Sequence, residues 1–383
     1  MKSYYFDHAA TTPIHPDVIA AMIATMQQGP GNASSIHRFG RNAKHSLNQS
    51  RDKISSMLGC KPNEFTFTSG GTESDNLAII GAARAQALKG RKHLITSAIE
   101  HHAVIHSMEW LANNEGFDLT IISVDQQGYV NMAELQDALS EQTALVSIIH
   151  GNNEVGTIQP IEQIGELVHQ VGALFHVDAV QTLGCVTYSL QQLPVDLMSF
   201  SSHKINGPQG IGGLYIATGT PIEALQQGGT QERKRRAGTE NLAGIVGFAT
   251  ALDICVNKRE KWQPFVTNLR NRWVELLQQE LEKYPIIVNS DLDHGLSHIV
   301  NISFVGVDTE SMLMNLDMAG IAVSSGSACT SGSLERSHVL KAMGLSTDRL
   351  NSAVRFSFGM GNTIEEIEEA ATIVASIVKR IHS

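Results

Sequence analysis

Four short stretches of this 383-residue chain hold side chains able to carry chemistry. "FHVDAVQ" puts Asp178 at the end of an apolar run, where a lone carboxylate is costly to bury and implies a cationic partner. "SFSSHKINGPQG" puts Lys204 in a similar setting, after hydroxyls and a histidine and before a glycine turn. "TFTSGGTES" closes a strand pattern with Gly70 and Gly71 and opens a helix at Thr72, aiming backbone N–H groups and a hydroxyl at an anion such as phosphate. "SSGSACTSGS" holds a lone thiol, Cys329, among glycines and serines. Each also has a plain structural reading. A lysine and an aspartate at neighbouring strand ends can simply pair, and a strand-to-helix turn wants glycine and an N-cap in any case.

The combination narrows the chemistry. A lysine able to form a Schiff base, a carboxylate able to keep a pyridinium nitrogen protonated and a phosphate-binding turn are together the equipment of a pyridoxal 5′-phosphate site. Glycine and serine on both sides of Cys329 place this lone thiol on a flexible, hydrated segment.

These residues need a scaffold, and the hydrophobic pattern predicts an α/β one. From about residue 64, short β-branched or apolar runs alternate with stretches at helical period: "EFTFTS", "ESDNLAIIGAARAQALKG", "HLITSAI", "AVIHSMEWLANNEG", "DLTIISVD", "ALVSIIH", "IEQIGELVHQVG", "ALFHVDAV", "DLMSFSSH" and "GGLYIAT". This is the rhythm of βαβ units around a mainly parallel sheet, whose ligands gather at the carboxyl ends of the strands. A long helical pattern from residue 241, interrupted by Pro264, leads to a smaller α+β unit with strands "HIVNISF", "IAVSS" and "AVRFSFG". Length alone favours two domains.

With 28 basic against 38 acidic side chains and a formal charge of −10, a nucleic-acid backbone is not the expected ligand. The short basic run "ERKRRAG" departs from that balance. No apolar segment approaches the 18 or more residues of a spanning helix, so a soluble, cytoplasmic protein is expected. The four cysteines form no CxxC pair, and Cys60, Cys185 and Cys255 are read as small packed hydrophobes. His102 and His106 have a spacing that can bind zinc but no third ligand in view, and no metal site is expected.

In order along the chain, "DHAATTP", "SGGTESDN", "EHHAV", "GNNEVGTIQP", "HVDAVQ", "SSHKINGPQGIGGLY", "RRAGTEN" and "SSGSACTSGS" resemble the motifs of the cysteine desulfurases of the NifS/IscS type, within the class V aminotransferase-like pyridoxal enzymes. The resemblance spans nearly the whole chain. It implies the type I, aspartate aminotransferase-like transferase fold: a large domain over residues 16–260 with a sheet of the seven-stranded type, and a small one built from 1–15 and 261–383 that carries a mobile cysteine loop at about 324–336. It implies pyridoxal 5′-phosphate as cofactor, with Lys204 as the lysine that bonds it, Asp178 on the pyridinium nitrogen and His101 stacked on the ring and shuttling protons. Asn153 and Gln181 then lie near the cofactor's O3′, and Gly71, Thr72, Ser201 and His203 hold its phosphate. Thr239 would come from the other subunit of a homodimer, which accounts for part of the basic run. Arg355, with Asn32, would clamp the substrate carboxylate.

The implied reaction converts L-cysteine to L-alanine and leaves a persulfide on Cys329, from which an acceptor protein, an iron–sulfur scaffold or a tRNA thiolation enzyme, takes the sulfur. Direct contact with nucleic acid or membrane is not implied. Two family prolines are replaced, by Ala33 and Arg336, and the spacing from Cys329 to Arg355 resembles the extended-loop subgroup. Competing readings are a selenocysteine lyase, a conventional aminotransferase and a non-catalytic interaction subunit of the same fold.

Overall fold

The computed structural model describes residues 2–326 and 336–382 in full and residues 329–330 and 333–334 by their backbone. Its strands are β1 (Tyr4–Tyr5), β2 (Phe65–Thr68), β3 (His93–Ser97), β4 (Asp118–Ile122), β5 (Thr143–Ile149), β6 (Leu174–Asp178), β7 (Leu197–Ser201), β8 (Gly212–Ile216), β9 (Ile286–Val288), β10 (Ile299–Phe304), β11 (Ile321–Ala322), β12 (Cys329–Thr330), β13 (Ser333–Leu334) and β14 (Ala353–Ser357).

A seven-stranded sheet in the order β2-β8-β7-β6-β5-β3-β4 forms the centre of the fold. Neighbours from β7 to β4 pair parallel, and β8 alone runs antiparallel to both of its neighbours. The central strands are buried on both faces, which is why their sequences are almost continuously apolar rather than alternating. Successive residues of β5 enter opposite layers. Leu145 joins Leu77, Ala82 and Met108 of the helices Gly71–Ala87 and His102–Glu115, whereas Val146 joins Leu47, Ile54 and Ile164 of Arg38–Leu58 and Ile161–Gln170.

A second core surrounds the antiparallel sheet β14-β10-β9, where Trp273, Phe6, Phe304, Phe356 and Phe358 pack beneath the terminal helix Ile364–His382. The two cores share one 39-residue helix, Leu242–Glu280, which gives Phe248 and Leu252 to the first and Val266, Leu269 and Trp273 to the second. The sequence pattern breaks at Pro264, but the helix runs through it. Proline removes one backbone bond, to the carbonyl of Glu260, and both residues are exposed, so water can satisfy that carbonyl while packing on either side holds the helix.

Candidate active site

A cleft of about 350 Å³ opens where the central strands end. Its lining includes ten of the residues singled out in the sequence: Gly71 and Thr72 after β2, His101 after β3, Asn153 after β5, Asp178 and Gln181 at the end of β6, Ser201, His203 and Lys204 at the end of β7, and Arg355 from β14. Asn32 and Thr239 do not line it; both are exposed, and the Asn32 side chain instead accepts from the Ser34 N–H at 2.9 Å. Cys329 opens β12, which pairs antiparallel with β13, and its side chain lies outside the described residues.

Lys204 follows β7 on a short 3₁₀ turn, and its ammonium donates to the carbonyls of Ala9 at 2.6 Å and Ala10 at 2.8 Å. Burial first and then Arg355 lower it, against Asp7 and Asp178, and the balance stands at about 8. A lysine so placed exposes a neutral, nucleophilic amine close to physiological pH. Asp178 is 4% exposed and receives the Val180 N–H at 2.9 Å. Burial raises it to about 6, with that bond and Lys204 holding it down.

The turn after β2 has the shape an anion needs. Gly70 takes φ 156°, and a Cβ at Gly71 would come within 2.8 Å of the Val180 side chain. The 17-residue helix that starts at Gly71 carries no side-chain cap, so its first N–H groups open into the cleft beside Thr72, Ser201 and His203. An uncapped helix end, a nearby buried carboxylate and a depressed lysine suit a phosphorylated pyridine aldehyde such as pyridoxal phosphate.

His101 is the N-cap of the helix His102–Glu115, its Nδ1 accepting from the Ala103 N–H at 3.1 Å. In the neutral ring that bond puts the proton on Nε2. Lost hydration within the cleft, with Lys204 adding, lowers His101 to about 4, although the residue keeps solvent exposure. Gln181 donates to the Ala9 carbonyl at 2.8 Å, and His203 Nδ1 lies 3.1 Å from Thr11 Oγ1. Arg355 is 4% exposed, with Nη1 donating to the Asn153 carbonyl at 2.8 Å and Nη2 to Asp7 Oδ1 at 2.7 Å. Its Nε is buried with no hydrogen-bond partner among the described residues.

Several participants escaped the sequence reading. Asp75, on the cradle helix, is fully enclosed, and burial together with Asp178 raises it well above its usual range. Glu100 is enclosed too and is pushed by burial to about 8, although the Ser97 hydroxyl donates to it at 2.5 Å. Glu154 lies in the cleft wall next to Asn153. The motifs "SGGTESDN", "EHHAV" and "GNNEVGTIQP" contain all three carboxyls, and an acid inside such a motif was the available signal.

His338 brings a third imidazole ring to within 4.8 Å of His102, which stands 5.0 Å from His106. Among the described residues no three His, Cys, Asp or Glu side chains converge so as to hold a metal ion. Burial raises the thiols of Cys60 and Cys255 to about 12 and that of Cys185 to about 11, so all three are protonated packing groups.

Part of the basic run is built into the fold. Glu232, Arg233 and Lys234 all take positive φ, a conformation that costs free energy for such residues. Glu232 is clamped by Arg51 at 2.6 and 2.8 Å and by the Phe67 N–H at 2.9 Å. Arg236 pairs with Glu73 in the first turn of the cradle helix.

Residues 4–369 match the family model for class-V aminotransferases. The chain belongs to the class-V aminotransferase family. It is 47% identical to a Bacillus subtilis (strain 168) protein designated IscS 1, over 100% of both chains, and 44% identical to the cysteine desulfurase IscS of Methanosarcina thermophila, over 100% of this chain and 93% of that one. Among solved structures, a NifS-like protein superposes with a TM-score of 0.91 at 36% identity, covering 99% of this chain and 100% of the other. Within its family the protein is a cysteine desulfurase, of a class that depends on pyridoxal phosphate. Among the described residues of the desulfurase, no helix is long and apolar enough to cross a membrane.

Proposed function

We propose that the desulfurase carries out its reaction in the cleft at the ends of β6 and β7, converting L-cysteine to L-alanine and leaving the sulfur as a persulfide on Cys329. Pyridoxal 5′-phosphate, bound there, would supply the electron sink that weakens the substrate's Cα–H and Cβ–S bonds. Lys204 would bond it, Asp178 would hold its ring nitrogen, His101 would cover its ring, and Asn153 and Gln181 would hold its hydroxyl. The helix start at Gly71 and Thr72, with Ser201 and His203, would hold its phosphate. The observation that carries this reading is the convergence of Lys204, Asp178, Arg355 and an uncapped helix start in one cleft.

Arg355 holds the substrate carboxylate and orients Cα toward Lys204. The Lys204 amine, neutral in a large share of molecules near pH 8, takes the Cα proton. The Cys329 thiolate then attacks the substrate sulfur. A sulfur–sulfur bond forms, the substrate Cβ–S bond breaks with its electron pair going to the carbon fragment, and protons returned at Cβ and Cα complete alanine. His101 has a donor Nε2–H for such transfers.

The rest of the reading concerns setting. The functional unit is a cytoplasmic homodimer in which Thr239 serves the neighbouring subunit's phosphate site, and each chain divides into residues 16–260 and residues 1–15 with 261–383. The terminal sulfur passes to an acceptor protein, for iron–sulfur cluster assembly, for tRNA thiolation, or for both.

The test measures alanine and sulfide from L-cysteine plus reductant, with the absorption spectrum recorded, for the wild type, Cys329→Ala and Lys204→Ala. Equal alanine and sulfide from the wild type alone, with Cys329→Ala showing a substrate-shifted spectrum, supports the assignment. Selenide and alanine from selenocysteine in Cys329→Ala, with no wild-type activity on cysteine, overturns it in favour of a selenocysteine lyase.

A further inference from the structure

A second cavity, of about 130 Å³, adjoins the cleft, and the reaction above makes no use of it. Leu183 and Ile205 of the first core and Val266 and Phe358 of the second meet in its walls, joined by Ile254 and Trp262 of the shared helix Leu242–Glu280. The N-terminal segment and the turn after β7 separate it from the cleft. Ala9 and Ala10 line the cleft, His8 and Thr12 line the cavity, and Lys204 belongs to both linings. Thr12 stitches this partition together, its hydroxyl donating to the His203 carbonyl at 2.7 Å and accepting the Asn206 N–H at 2.8 Å.

Size and charge restrict what can enter. An apolar cavity of about 150 Å³ holds one benzene molecule, so this one suits a single small ring or a short chain. Its lining contains no Asp or Glu among the described residues, whereas Asp75, Glu154 and Asp178 line the cleft. The imidazoles and thiols deep in the walls are uncharged at neutral pH. Burial lowers His8 to about 4 and His298 to about 3, and it raises Cys185 to about 11 and Cys255 to about 12. Charge in the lining therefore comes from Lys258 and Arg259, neighbours on the shared helix, and from Lys204 in the partition. The Arg259 guanidinium makes one long bond, from Nη1 to the Val186 carbonyl at 3.4 Å. His8, 4% exposed, has an Nδ1 with no hydrogen-bond partner among the described residues. Apolar walls that carry cations and no anion are the complement of an amphipathic anion, and a carboxylate matches the fork of an arginine.

We propose that this interdomain cavity binds a small amphipathic monoanion, a carboxylate carrying one aromatic ring or a short aliphatic body, at a site separate from the substrate cleft. The body lies among Ile254, Trp262 and Phe358, and the carboxylate meets Arg259 and Lys258. The site stands independently of the reaction assigned to the cleft.

The experiment titrates protein loaded with pyridoxal phosphate into 4-fluorophenylacetate, and separately into the neutral analogue 4-fluorophenylacetamide, reading the ¹⁹F signal of the probe by NMR. Wild type, Arg259→Glu and Ile254→Trp are compared. The wild type should shift and broaden the signal of the anion with a Kd of about 1 mM or tighter, and should bind the amide severalfold more weakly. Arg259→Glu sets a like charge against the carboxylate and should weaken binding about tenfold, and Ile254→Trp, which fills the space, should weaken it at least as much. Should Ile254→Trp fold poorly, Arg259→Glu and the neutral analogue still give the answer. An unchanged signal with wild type at about 10 mM probe would overturn the proposal. So would equal affinity in all three proteins, since the probe would then lie elsewhere, and so would amide binding as tight as that of the anion. Turnover of L-cysteine does not enter these readings, so a failure of the desulfurase mechanism would leave them unaffected.

Discussion

Arg355 and Asp7 meet at 2.7 Å in the cleft wall, so the guanidinium assigned to the substrate carboxylate already has an anionic partner. A substrate carboxylate must compete with Asp7 for Nη2 or reach the buried Nε, which has no partner among the described residues. Asp7→Asn keeps an acceptor oxygen and removes the competing charge, and is expected to lower KM for L-cysteine severalfold. Arg355→Lys loses the planar fork and should raise KM about tenfold or more with a smaller change in kcat. Steady-state kinetics on the two variants check this, and a KM within twofold of wild type in Arg355→Lys would move the carboxylate site elsewhere.

Lys204 illustrates how position sets reactivity. Because burial and Arg355 disfavour its charged form and bring it to about 8, the neutral amine gains population as pH rises through that value. The rate at which the cofactor-free protein captures pyridoxal phosphate, followed by absorbance, is expected to rise between about pH 7 and 9 and then level off. Lys204→Ala should abolish turnover. A capture rate still climbing steeply above pH 10 would indicate an ordinary exposed lysine.

Glu232 holds a strained stretch of basic chain against the sheet. Removing its carboxyl leaves Arg51 buried without its bidentate partner and frees the Phe67 N–H. Glu232→Ala is expected to cost about 3–5 kcal/mol in denaturant unfolding, whereas the double variant Arg51→Met/Glu232→Leu should recover much of that loss. Equal losses in the single and double variants would mean that backbone strain, rather than an orphaned charge, sets the cost.

Lys204, Asp178 and the Gly70–Gly71 turn were legible in the sequence because each sits directly beside the strand that delivers it, so local pattern and chemistry coincide. Arg355 and Cys329 drew their roles from the motif resemblance. Asp75, Glu100 and Glu154 were not legible, since what marks them is burial by segments far away: the hydroxyl that meets Glu154 belongs to a residue 183 positions later. The approach of His338 to His102 was hidden for the same reason. The helix Arg38–Leu58 went unread because polar residues dominate it, although Ala43, Leu47, Ile54 and Leu58 fall at helical spacing. Pro264 misled in the opposite direction: its local preference to break a helix lost to two cores that each grip one half.

Glu100 gives the folded state an unusual response to base. Burial raises its carboxyl to about 8, above the ordinary range of about 4.3 expected in the unfolded chain. Between those values the native state binds a proton that the unfolded state has released, so stability is full below the lower value and falls as pH rises toward the upper one. Asp178, raised to about 6, contributes in the same direction over a narrower window. Glu100→Gln keeps an acceptor for the Ser97 hydroxyl but cannot ionise. The variant is therefore expected to flatten the decline in unfolding free energy between about pH 5 and 8, becoming more stable than wild type near pH 8 while matching it near pH 5. Urea unfolding of cofactor-free protein at both pH values reads the difference, and parallel pH profiles for wild type and variant would mean that Glu100 is ionised in the folded chain.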